Sequence, residues 1–288
     1  MPDDPPLTHA NARNDARLTL GFSHVGNEGG TRMVERSHFG PLRVQKPLYP
    51  EGKDVCHAII VHPPGGVVGG DELEISVQAG DDAAVFITTP GAAKWYKAHG
   101  KVSRQQVRIE TGNRAVLEWM PQETIFFDAA EVRLDHDVTL GAEGMYIGCE
   151  ILCFGRTASG ESFSTGSVRQ RTSIRRDGRL VWFEQGRLDA QGSAMRSPLG
   201  LNGNTVCATL IAVGKTLPAS TIAALREEAG ALAGDSELFG ATQMKSVLVA
   251  RYLGNSSQTA RRIMTHAWQL LRPQLTGRDA EVPRIWNT

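Results

Sequence analysis

Neither sign of charge is in excess in this sequence: its 288 residues hold 31 Lys and Arg against 31 Asp and Glu, a formal net charge of zero with histidine neutral. The balance gives nucleic acid and anionic membrane surfaces no global attraction to act through, and it leaves little self-repulsion to keep the chain soluble. Long apolar runs are also missing. No stretch approaches the roughly 20 uninterrupted apolar residues that a membrane-spanning helix needs. The opening residues 1–17 carry acids and prolines but not the apolar core of a signal peptide. We read residues 1–16 as a disordered leader and 17–288 as a single domain. Cysteine is scarce: Cys56, Cys149, Cys153 and Cys207 make no disulfide framework in so long a chain, and the compartment they fit is a reducing cytoplasm.

Several signatures of chemistry are absent as well. There is no phosphate loop with its Gly-Lys-Ser/Thr ending and no dinucleotide-type glycine spacing. There is no Gly-x-Ser-x-Gly elbow to present a nucleophile. No Cys-x-x-Cys or His-x-x-x-His pair offers a closed metal site. Cys56, His57 and His62 are candidate ligands, but His57 and His62 fall on opposite faces of a regular strand. Cys149 and Cys153 share a strand face with Met145, Ile147 and Ile151, the setting of small core residues. His136 lies on an apolar face, where a hydrogen-bonded core histidine is the ordinary reading.

What the chain does have is glycine: 31 of them, falling between short apolar runs, the pattern of many strands joined by turns. Val132, Leu134, His136, Val138 and Leu140 alternate with polar residues, so that strand has one wet face. Leu73, Ile75 and Val77 repeat the alternation. Asp177-Gly178 between two β-type runs predicts a tight hairpin. Residues 56–61, 85–89, 145–154, 205–213 and 246–252 read as strands buried on both faces. Only two stretches show helical period: Ile222, Leu225, Ala229 and Leu232, with Pro218 before and Gly234 after; and Ala260, Ile263, Met264, Ala267, Leu270 and Leu271, closed by Pro273. The fold class is mainly β, one large multi-stranded domain of β-helix-like or layered sheets with two α-helices near the C-terminus.

Two features invite a functional reading. The run HPPGGVVGGD (62–71) leads into an alternating strand rather than a helix, so a tight corner built on Gly65, Gly66, Gly69 and Gly70 suits it better than a phosphate cradle. Carboxylates also sit on apolar strand faces. Glu150 shares its face with Tyr146, Leu152 and Phe154, Glu184 follows Leu180 and Trp182, and Glu118 lies between Val116 and Met120. A buried, unpaired carboxylate is costly, so these groups face a partner or water. One reading is ordinary ion pairs, with Arg156 or Arg187 as partners. The other is a hydrated interior of oxygen ligands that holds a divalent cation weakly. The arginines Arg169, Arg171, Arg175 and Arg176 mark a solvated or partner-binding strand.

Seven stretches in order resemble the UreD (UreH) family of urease accessory proteins: RSHFGPLRVQKPLYP (36–50), HPPGGVVGGD (62–71), TTPGAAKWY (88–96), WMPQETI (119–125), CFGRTASGE (153–161), LVARY (248–252) and PRIWNT (283–288). Each is weak alone; together they span the chain from about residue 17. The resemblance implies a largely β fold with two late helices. It implies a non-enzyme that binds urease apoprotein subunits and UreF, with UreG recruited through UreF and a dimer of complexes allowed there. GTP hydrolysis then belongs to UreG, and no cofactor is tightly bound. Ni²⁺ passes transiently through an internal tunnel, and Asp71, Glu150 and Glu184 match the acidic residues lining it. A rival reading from the residues is a hydrolase or transferase working at the 62–71 corner, and a third is a plain β-structured binding module.

Overall fold

The computed structural model describes residues 15–26 and 29–287. Most of the leader, residues 1–14, lies outside them. Its last two residues belong to the fold: β1 (Asp15–His24) begins at Asp15, and Ala16, Leu18, Leu20 and Phe22 are buried on one face. The alternation that buries them is what ends the leader two residues early. β1 pairs with β2 (Thr31–Phe39), and the short β3 (Arg43–Val44) pairs with β4 (Val55–Val61).

The central stretch then winds back and forth between two sheets. β5 (Glu72–Ala79) lies in one sheet and β6 (Ala84–Thr88) in the other; β8 (Ser103–Thr111) and β9 (Val116–Trp119) repeat the step after the three-residue β7 (Ala93–Trp95). β11 (Ala130–Leu140) and β12 (Met145–Phe154) repeat it again after β10 (Thr124–Phe126). Equivalent strands of successive turns stack in parallel: β5 on β8 on β11, β4 on β6 on β9 on β12, and β7 on β10. This is the layered, solenoid-like arrangement expected, because parallel neighbours require a crossover between them. β13 (Gly166–Arg176) joins β11 in parallel and turns through Asp177 and Gly178, both at positive φ, into β14 (Arg179–Asp189). The hairpin falls where the Asp-Gly pair predicts it.

A one-turn helix, α1 (Ser193–Arg196), precedes β15 (Val206–Val213). α2 (Ala219–Gly230), β16 (Leu238–Met244), β17 (Val247–Gly254) and α3 (Ser257–Thr276) complete the chain. The sheets run β14-β13-β11-β8-β5-β1-β2 and β16-β17-β15-β12-β9-β6-β4-β3, the latter with β10 and β7 attached beside β12. One apolar core lies between the sheets; a second lies between the larger sheet and the two long helices.

Two helix boundaries differ from the sequence expectation. Leu232, placed in the helical stripe, lies beyond α2, which stops at Gly230. α3 runs through Pro273 to Thr276, closed by Gly277 in the left-handed region. Proline forfeits one hydrogen bond there, but burial of Leu275 against the sheet keeps the last turn in place. A bulge in the β13/β14 ladder also changes one face: Leu180 is opposite Arg175 whereas Trp182 is opposite Ile174. Leu180 is therefore half exposed and does not share a face with Glu184.

Candidate functional site

The 62–71 corner is packed against β7 by two backbone bonds, Val67 N–H to Lys94 O and Tyr96 N–H to Val67 O, each 2.8 Å. That contact leaves no room for side chains. A β-carbon on Gly66 would lie 2.2 Å from the Tyr96 ring, and one on Gly69 would lie 1.9 Å from the Ala98 carbonyl oxygen. Gly65 and Gly70 hold φ of +77° and +94°, the region glycine enters without strain. Gly66→Val should therefore sharply lower soluble yield in expression trials, whereas Gly52→Ala, whose φ is positive but whose surroundings are open, should cost only about 1 kcal/mol. Equal yields would make the corner a permissive loop.

Asp71 closes the corner. Its buried carboxylate accepts the Val68 N–H at 3.0 Å, and with His62 and Gly66 it borders a recess of about 540 Å³. Burial holds the His62 imidazole below its ordinary value, with Asp71 opposing. His62 and Gly66 also border a second cavity of about 360 Å³ between the sheets, which reaches His136, Glu150 and Gln170. Those three in turn border a smaller space of about 40 Å³ that includes Glu184. Asp71, Glu150 and Glu184 thus lie along three adjoining spaces rather than around one point. Among the described residues no three His, Cys, Asp or Glu side chains are placed to hold a metal ion together.

The three carboxylates picked out from strand faces have different fates. Glu118 faces the helices. Arg272 Nε donates to both its oxygens at 2.9 and 3.1 Å, and Trp268 Nε1 donates at 2.6 Å. Arg272 also reaches Glu51 at 2.7 and 3.0 Å, and Glu51 meets His57 Nε2 at 2.6 Å. This is a buried structural network. Glu184 pairs with Arg251 at 2.6 Å, half exposed. The proposed partners are engaged elsewhere, Arg156 with Glu161 and Arg187 with Asp189, because each finds an acid close by in sequence. Glu150 has no arginine. Among the described residues its one side-chain hydrogen-bond partner is the Gln170 amide, and burial, with Glu184 adding repulsion, pushes its carboxyl up to about 7.

His136 is the core histidine expected, 2.8 Å from the Tyr146 hydroxyl, and burial lowers it to about 4. Cys149 and Cys153 pack under the helices, and burial pushes both thiols up to about 12. Gln170 was missed from sequence. Its signal was present, since it is, with Thr172, a polar member of the inward set Val168, Gln170, Thr172, Ile174, but two flanking arginines masked it.

A model of the family described as UreD urease accessory protein matches residues 14–287. The chain belongs to the UreD family. It is 63% identical to the urease accessory protein UreD of Janthinobacterium sp. (strain Marseille), covering 98% of this chain and 97% of that protein. The protein of the same name from Nitrosospira multiformis is 54% identical, with both chains covered in full. That from an Azoarcus species is 46% identical over 95% of this chain and 94% of the other. The matched region takes in both sheets, all three helices and the three adjoining cavities. Among the described residues no helix is long and apolar enough to cross a membrane.

Proposed function

We propose that this chain is a non-catalytic assembly factor for urease that works in the cytoplasm. In this reading it binds urease apoprotein and UreF, with UreG joining through UreF, and gives Ni²⁺ a hydrated route during GTP-dependent insertion. Nickel here is cargo. A cation crossing a protein interior faces a penalty of several kcal/mol even after relaxation, and carboxylates spaced along water-sized spaces lower it without trapping the ion. The observation that carries the reading is Glu150: a carboxylate with no cationic partner among the described residues, bordering both the cavity that reaches His62 and the space that reaches Glu184. Asp71 at the first recess and Glu184 at the last extend the same line.

The decisive experiment replaces Glu150 and Glu184 together by Ala. Urease nickel content in cells should fall severalfold, while the complex with UreF and urease still co-purifies. Loss of the exposed Glu184–Arg251 pair costs at most about 1 kcal/mol, so the fold survives. Full nickel loading by the double variant refutes the conduit for these residues; loss of partner binding makes them structural instead.

A further inference from the structure

Four arginines stand in one row across the outer face of the seven-stranded sheet. Arg187 on β14 is opposite Arg169 on β13, Arg169 is opposite Arg133 on β11, and Arg133 is opposite Arg104 on β8. All four are exposed. Like charges directly across from each other destabilise a sheet, so the row works against the fold. Two members are relieved locally: Arg133 lies 2.7 Å from Asp135, and Arg187 lies 2.7 Å from Asp189; on its other side Arg104 is opposite Glu72 of β5. Among the described residues the side chains of Arg104 and Arg169 have no hydrogen bond or ion pair. Beside the row the surface dips into a groove of about 400 Å³, whose charged lining is Arg133, Arg169, Arg171 and Arg187 with Asp135. Toward the edge strand β14 the same face continues to Phe183, 52% exposed. Arginine and exposed aromatics together are the composition of interface centres.

We propose that this face docks an acidic helix of a partner protein, laid across the strands with its carboxylates on the arginine row. The dimensions match. Strands about 4.8 Å apart spread four arginines over roughly 14 Å. Helix residues at i, i+4, i+7 and i+11 share one face over roughly 16 Å. A nucleic-acid backbone is a poorer fit, because a chain of zero formal net charge gives it no attraction beyond this short row. The arginine row is on the opposite face of the sheet from Glu150, and the groove beside it shares Leu134, Asp135 and Gln170 with the Glu150 cavity; peptide binding is read separately from nickel delivery.

The test uses the full-length chain and a labelled alanine-based helical peptide of about 20 residues with glutamates at i, i+4, i+7 and i+11. The control peptide has the same composition with its glutamates spread around the helix. Fluorescence anisotropy should show the aligned peptide binding about tenfold more tightly than the control, with affinity falling as salt rises toward about 0.15 M. Arg104→Glu with Arg169→Glu should abolish the difference while circular dichroism stays unchanged and the thermal midpoint does not fall, since neither side chain supports the fold. Should the reversed variant not fold, Arg104→Gln with Arg169→Gln gives the same reading. Equal binding of the two peptides overturns the proposal, as does undiminished binding by the double variant. Tighter binding of single-stranded DNA, lost in that variant, replaces it with a general polyanion surface.

Discussion

Arg272→Met lowers the stability of the folded chain by about 3–5 kcal/mol, the expected result of removing one partner from a buried ion pair. Arg272 and Glu118 are both essentially inaccessible to solvent, and the guanidinium also serves Glu51. Methionine fills similar volume, so the loss is electrostatic. Burial already pushes the Glu118 carboxyl upward, with Arg272 opposing; without the arginine only the Trp268 N–H still opposes it. Glu51 is the reverse case: burial raises it, but hydrogen bonds from His57 and Arg272 hold it below its ordinary value. The deletion therefore takes the guanidinium from two buried carboxylates at once. Denaturant midpoints of Arg272→Met, Glu118→Gln and the double variant measure the coupling. The double variant should lose less than the sum of the singles, because each single change leaves an unpaired group. Strict additivity would remove this network from the forces holding α3 on β9.

Glu150→Gln has the opposite expected sign. The folded-state carboxyl sits at about 7 against an ordinary value of 4.5, so the folded chain holds its proton more tightly than the unfolded one. As pH rises past 4.5 the unfolded chain loses its proton first and stability declines, until the folded carboxyl has also ionised above about 7. Glutamine never ionises. At pH near 8 the variant should be more stable than the parent by on the order of 2 kcal/mol, allowing for screening by water in the cavity. Near pH 4 the two should match. The same variant should deliver less nickel to urease, since an amide oxygen is a weaker cation ligand than a carboxylate. A stability gain coupled to a functional loss is the mark of a group kept for function rather than for folding. Thermal midpoints across pH 4–8, run beside urease nickel analysis, decide it; a midpoint difference that does not change with pH would show that Glu150 is not the titrating group.

Much of this chain was legible locally. The period-two pattern of residues 132–140 assigns Val132, Leu134, His136, Val138 and Leu140 to the inner face, and all five are buried there. The Asp177-Gly178 turn follows from the positive φ both residues adopt. Of the stripe Ala260, Ile263, Met264, Ala267, Leu270 and Leu271, all but Leu270 are buried by α3, and Leu270 is partly buried at the edge of the same core. Glu150 was legible as an anomaly, a carboxylate on an apolar face, because alternation is a property of a single strand.

Partners were not legible, because contact is made across the sheet and not along the chain. Glu118 meets Arg272 across 154 residues, and Glu184 meets Arg251 across 67, while the arginines nearer in sequence are taken by acids two and five residues away. Sequence by itself determined which residues face inward, where the chain turns, and the family to which those motifs belong; each depends on backbone geometry and side-chain polarity within a few residues. Tertiary structure alone decided that successive strands alternate between two sheets, that Asp71, Glu150 and Glu184 line adjoining spaces, and that Arg104, Arg133, Arg169 and Arg187 form one row. Register between strands some thirty residues apart comes from the simultaneous packing of both cores, and a shift by one residue would turn every buried side chain outward. No single segment carries that information.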